Sequence, residues 1–312
     1  MTSPLHGEGR VFDSRMMYYK KHYYIDIYII MENPEDAGMK TPGDAEEQQS
    51  EHVGYSIENF NNCENIPDKA KVAFFTYGRF QPGHRGHEKM IMTLINIAIK
   101  HNAQKGIEIT PEKTNIYVFV SPSGSIGEKD PERNPLTPNQ KVDLLLKQYK
   151  NLPIHFVNMG EAKAKGRRAG PGGAVTLLKS CYSNAVMLVG GDRIGAFDWL
   201  GNIMNIEFEG VNRPENAMSA TAVRNAATAV HQTRLQANAF KSAIQFGAVT
   251  PSHVLEIKRM ITSAQRREKL RKLKKSKRAS RGGKRKTRKR RKTRRRRKRK
   301  RRKTRKRMCR FR

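Results

Sequence analysis

From Lys71 onward, short uninterrupted apolar runs alternate with longer segments whose apolar positions recur at helical spacing. Val72–Tyr77 predicts a buried strand. The next segment, Gly86–His101, places Met90, Ile91, Leu94, Ile95 and Ala98 on one helical stripe. Asn115–Val120 predicts a second strand, and Pro138–Tyr149 a helix with Val142, Leu145, Leu146 and Tyr149 inward. Ile154–Val157, Ala185–Val189 and Ile206–Val211 read as further strands. Gly173–Ser183, Ala220–His231 and Ser252–Thr262 read as helices. Strands buried on both faces, each followed by a helix, predict an α/β fold: a parallel sheet flanked by helices, with ligands at the carboxyl ends of the strands.

Outside that region the pattern fails in two different ways. Residues 1–70 are expected to form a poorly ordered extension. Its run Tyr23–Ile30 is short and broken by Asp26, which does not fit a secretory leader, and reads as an arm or as an extension upstream of Met31. Residues 31–70 hold ten acidic and two basic residues, with Pro34, Pro42, Gly38 and Gly43, a linker composition. Residues 71–262 are the expected folded domain, and 263–312 an Arg/Lys-rich tail expected to be disordered.

Charge sharpens this division. The net charge is +35, yet residues 266–312 contain 33 basic residues against one acidic residue, Glu268. Such a segment has no apolar face on which to fold and would bind nucleic acid through its phosphates, without regard to base sequence. Nuclear or nucleolar targeting is compatible with the same composition. No apolar run approaches the ~20 residues of a membrane-spanning helix. Cys63, Cys181 and Cys309 are widely spaced, giving no metal pair and no disulfide framework, as expected of an intracellular protein, cytoplasmic or nuclear.

Candidate chemistry concentrates where the first strand turns into the first helix: Gly78-Arg79-Phe80-Gln81-Pro82-Gly83-His84-Arg85-Gly86-His87. Gly78 permits close backbone approach, Pro82 and Gly83 force a turn, and the helix amino end offers free N–H groups to an anion. His84 and His87 can face the same side, so that two imidazoles donate to phosphoryl oxygens as charge develops on them. Downstream, Ser219 or Thr221 can cap a helix whose first turn, including Ala220, holds phosphate. Arg224 lies one turn beyond Thr221 on the same face.

Gly78–His87 resembles the H-x-G-H signature of the nucleotidyltransferase superfamily, in the G-R-F-Q-P form of archaeal-type nicotinamide-mononucleotide adenylyltransferases. Asn134-Pro135-Leu136-Thr137 is similar to that family's N-P-F-T segment, and Met218–Arg224 to its I-S-S/A-T-x-x-R segment. The resemblance covers about residues 71–260. It implies a Rossmann-like nucleotidyltransferase fold and transfer of AMP from ATP, or of CMP from CTP, to a phosphate-bearing acceptor. Nicotinamide mononucleotide leads among the acceptors, and pyrophosphate is released. His84, His87 and Arg224 would act on the reacting phosphates, and Gly78, Arg79, Phe80, Gln81, Ser219, Ala220 and Thr221 would hold the nucleotide. Asn134, Asp192 and Arg193 would lie on the acceptor or ribose side. Asp192 has a second reading as the cap of the next helix. Mg²⁺ is expected to arrive with the triphosphate, and the sequence shows no dedicated metal cluster.

Two segments depart from the resemblance: the basic loop 160–173, expected to be flexible, and the polar loop Ser121–Arg133. Both should border the acceptor. Trp199 is expected to pack inward rather than to stack on a base, and His155 to be a packing residue within a strand. The tail resembles Arg/Lys-rich tails of large DNA virus proteins, which would allow virion association. A different class of function, a nucleic-acid-binding or packaged protein whose transferase body is inactive, also fits the composition.

Overall fold

The computed structural model describes residues 54–67, 70–124, 130–212, 218–229, 233–276 and 293–294. Expectations for residues 1–53 and for most of the basic tail, including Cys309, lie outside them, as do the last two residues of the helix expected over Ala220–His231. The described residues contain a five-stranded parallel sheet. In chain order the strands are β1 (Val72–Gly78), β2 (Ile116–Val120), β3 (His155–Asn158), β4 (Asn184–Gly190) and β5 (Asn205–Val211). Their order across the sheet is β3-β2-β1-β4-β5. The chain starts at the centre, builds outward to β3, then crosses back to place β4 against the other side of β1. The carboxyl ends of β1 and β4 therefore feed loops in opposite directions and open a crevice between them.

Alternation within each strand feeds two cores. Phe74, Ile116, Val118, Val120, Val186 and Leu188 face one layer, where α2 (Arg85–Gln104) contributes Ile91, Leu94, Ile95 and Ala98 and α3 (Pro138–Gln148) contributes Val142 and Leu145. Phe75, Tyr117, Phe119 and Met187 face the opposite layer, against Ala174, Val175 and Leu178 of α5 (Pro171–Lys179). A third cluster joins Leu144 of α3 to α6 (Ala220–Thr228), α7 (Arg234–Ile244) and a final helix, α8, over 251–276.

Several features of the fold differ from the sequence reading, among them α7, which it did not anticipate. The acidic linker does not extend to residue 70. Tyr55, Ile57 and Phe60 are buried in the core, and α1 (Asn59–Asn62) covers that layer. Tyr55 pairs with Val157 along β3, its N–H donating to the Phe156 carbonyl at 3.0 Å. Apolar side chains at these positions offset the surrounding acids, and Glu58 is itself matched by Lys165 at 2.6 Å. Cys63 and Cys181, 118 residues apart, form a disulfide with Cα atoms 5.4 Å apart, correcting the expectation of unpaired cysteines. The basic segment 160–173 is largely helical at its two ends: α4 (Met159–Ala164) runs into it, capped by the Asn158 side chain, which accepts from Gly160 N–H, and α5 begins within it at Pro171. The last helix does not stop at Thr262. Its buried stripe Val254, Ile257, Ile261 and Ala264 continues to Glu268, so the first residues of the expected tail are folded.

Candidate functional site

The turn from β1 into α2 is built inward. Phe80 is 1% exposed and sits at φ 45°, a backbone geometry costing roughly 1–3 kcal/mol for a bulky residue. Its ring lies so close to Gly78 that a Cβ there would sit 2.6 Å from Phe80 Cε2, so only glycine fits. Arg79, between them, is exposed. The Gln81–Pro82 peptide is cis. The Gln81 side chain is buried and clamps another segment: Nε2 donates to the carbonyls of Ser123 (3.1 Å) and Leu136 (2.8 Å), while Oε1 accepts from Leu136 N–H (2.9 Å). Gln81 thus fastens the loop after β2 and the Asn134–Thr137 segment to the turn.

His84 caps α2 with an imidazole. Its Nδ1 accepts from Gly86 N–H at 2.9 Å, and the residue is 1% exposed. An accepting Nδ1 places the proton of the neutral ring on Nε2, which makes that nitrogen the donor. The His87 ring lies 4.1 Å from the His84 ring and 4.9 Å from Phe80, centroid to centroid. The paired histidines expected from their spacing are therefore neighbours at one helix start.

The second helix start meets the first. A Cβ on Gly86 would lie 2.5 Å from the Met218 carbonyl oxygen, so the chain entering α6 touches the first turn of α2. Of the two candidate caps, Ser219 is the one used: its Oγ accepts from Ala222 N–H at 3.1 Å. The exposed Thr221 accepts instead from Arg224 Nη2 at 3.0 Å. Ala220 opens the helix between them. Arg224 is buried, and its Nη1 donates to the Gln81 carbonyl at 2.6 Å. Burial first, and then the nearby Arg79 and Arg133 guanidiniums, push the Arg224 pKa below its ordinary value; Asp130 and Glu132 oppose that shift. The positive charges of Arg79 and Arg133 act on that of Arg224, a local field that favours an anion.

Arg133 was not singled out from the sequence, although it immediately precedes the Asn134 segment. It is 65% exposed and 3.8 Å from Asp130. Lys141 was also missed. It is fully buried, and its Nζ donates to the carbonyls of Ser121 (2.6 Å) and Ser123 (2.9 Å) at the carboxyl end of β2. A signal was present: Lys141 falls on the stripe Pro138, Lys141, Leu145 and Gln148, all buried in α3. Asn134 has a buried Oδ1 with no hydrogen-bond donor among the described residues.

Asp192 and Arg193 stand apart from this cluster, in a 3₁₀ turn at the end of β4 (Gly191–Ala196). Their side chains are 81% and 67% exposed and lie 3.9 Å apart. Asp192 makes no side-chain cap there, so the capping alternative is not realised. Trp199, expected to pack inward, is 49% exposed; its indole N–H donates to the Ala196 carbonyl, and its ring edge rests over Gly172, where any Cβ would be 2.9 Å from Cη2. His155 is buried in β3, as its strand position implied. Among the described residues, no three His, Cys, Asp or Glu side chains are grouped to hold a metal ion, and no helix is long and apolar enough to cross a membrane.

What the arrangement can do follows from its parts. Two helix amino ends, two adjacent imidazoles and a set of guanidiniums converge at the carboxyl end of the central strand, a setting suited to phosphate groups. Compared with known proteins, the chain matches no family model and no curated protein.

Proposed function

We propose that this protein is a nucleotidyltransferase that moves AMP from ATP to a phosphate-bearing acceptor, with nicotinamide mononucleotide the leading acceptor and NAD the product. The observation that carries the reading is the junction at Gly86, where the histidine-capped start of α2 meets the segment that delivers Ser219, Thr221 and Arg224. In this reading an acceptor phosphate oxygen attacks the α-phosphorus in line. The bond to the β-phosphate breaks, and pyrophosphate leaves with the electron pair. Imidazole N–H groups of His84 and His87 donate to α-phosphate oxygens, most strongly as charge accumulates in the transition state. Arg224, with Arg79 and Arg133 beside it, holds the β- and γ-phosphates. Catalysis is positioning and charge stabilisation with no enzyme-bound intermediate.

Mg²⁺ belongs to this reading as part of the triphosphate substrate, which suits an ion that keeps waters and phosphate oxygens as ligands. Residues 266–312 bind nucleic acid through phosphate contacts. The test is pyrophosphate release from ATP or CTP across a panel of phosphate acceptors. Release with ATP and nicotinamide mononucleotide supports the full assignment. Release only with CTP or another acceptor replaces the substrates and keeps the reaction, and silence across the panel rejects it in favour of a binding role.

A further inference from the structure

The polycationic segment begins against the lip of the candidate site. Helix α8 is seated on the body through Ile257, Ile261 and Ala264, and its next buried position is Glu268, gripped by Arg271 at 2.7 Å. One turn later Lys272 Nζ reaches Glu132 Oε2 at 2.9 Å. Glu132 adjoins Arg133, and both act electrostatically on Arg224. Around Lys272 the helix exposes Arg266, Arg267, Lys269, Lys274 and Lys275. Any strand held along this helix therefore has its phosphates within reach of the site's rim.

Arg133 itself is 65% exposed. An exposed guanidinium at the site, beside a helix lined with cations, suits the phosphate-bearing end of a strand lying along that helix.

We propose that the acceptor phosphate can be the 5′-terminal phosphate of a single-stranded nucleic acid, so that the protein adenylylates strand ends. This inference rests on the nucleotidyltransferase reading and extends its acceptor class. A non-bridging oxygen of the 5′-phosphate attacks the α-phosphorus of ATP, forming a 5′,5′-diphosphate link to AMP. The α–β bond breaks, and pyrophosphate departs with the electron pair and takes a proton from water. Helix α8 and the basic residues beyond it raise the concentration of strand ends at the site.

The experiment uses the full chain with α-labelled ATP and Mg²⁺. The acceptors are single-stranded RNA and DNA with a 5′-phosphate, the same strands with a 5′-hydroxyl, and nicotinamide mononucleotide. Label is expected on the 5′-phosphorylated strand, RNA, DNA or both, in a phosphatase-resistant form, and none on the 5′-hydroxyl strands. Strand labelling is expected to fall at least ~10²-fold between about 50 and 200 mM salt, while transfer to the mononucleotide changes little. Transfer to the mononucleotide with none to either phosphorylated strand overturns the inference and leaves the transferase reading standing. Absence of pyrophosphate release with every acceptor overturns both.

Discussion

Buried imidazoles occur at both ends of this sheet, and they are in opposite circumstances. At the carboxyl end, His84 is held by its own helix: Nδ1 is fixed by Gly86 N–H, and the partner ring of His87 lies alongside. At the amino end, His155 opens β3, stacked on Tyr55 at 4.1 Å and close to Tyr117. Burial pushes its pKa down to about 4, against a weak upward pull from the Asn65 backbone. Burial alone therefore does not mark a functional histidine. What separates the two is the surroundings: a helix N–H and a second imidazole in one case, tyrosine rings in the other.

The largest expected effect tests the carboxyl end. His87→Ala should lower turnover by ~10²–10³ with the melting temperature unchanged, because it removes donors that matter most in the transition state. Steady-state kinetics beside thermal melting measure both, and unchanged turnover removes His87 from the chemistry. The amino end should respond in stability and not in rate. The folded state keeps His155 neutral down to about pH 4, whereas the unfolded chain takes up its proton near 6.5. Stability present above pH 6.5 is thus lost as pH falls toward 4, by up to ~3 kcal/mol. Denaturant titrations across that range should show a flatter slope for His155→Phe than for the parent, with transfer activity at pH 7.5 retained.

Gly86→Ala comes next. Its methyl would meet the Met218 carbonyl at 2.5 Å, and the helix starts must separate. A stability loss of roughly 1–3 kcal/mol is expected, with an activity loss smaller than that of His87→Ala. A variant that keeps full activity would show that the junction is incidental to the chemistry. The smallest effect belongs to Ser219→Ala, which deletes the cap bond to Ala222 and should cost about 1 kcal/mol. Turnover falling as far as in His87→Ala would make Ser219 a phosphate ligand as well as a cap.

Much of this was readable in the sequence, for definite reasons. The central strands are apolar on both faces, so Val72–Tyr77 and Ala185–Val189 announce themselves without alternation. The histidine pair and the Ser219 cap depend on local spacing, which the chain carries directly. What stayed hidden depends on partners distant in sequence. Tyr55, Ile57 and Phe60 are diluted by Ser56, Glu58 and Asn59, and only the groove along β3 makes them core. Lys141 reads as a charge, and only the carbonyls of Ser121 and Ser123 explain its burial. The continuation of α8 past Thr262 was masked because its inward stripe there narrows to Ala264 and the aliphatic stem of Glu268 amid cations.

The unequal flanks of the sheet carry one more consequence, for how the protein avoids its own copies. A flank strand presents unpaired backbone groups that invite another strand to add on. On the β3 side Tyr55 lies along the strand and closes part of that row. On the β5 side Ile206 and Phe208 turn toward the core, which leaves Glu207 and Glu209 on the other face. Two such strands brought together would set carboxylates against carboxylates. One border is partly covered, the other makes self-association electrostatically unfavourable, and the second safeguard weakens at high salt.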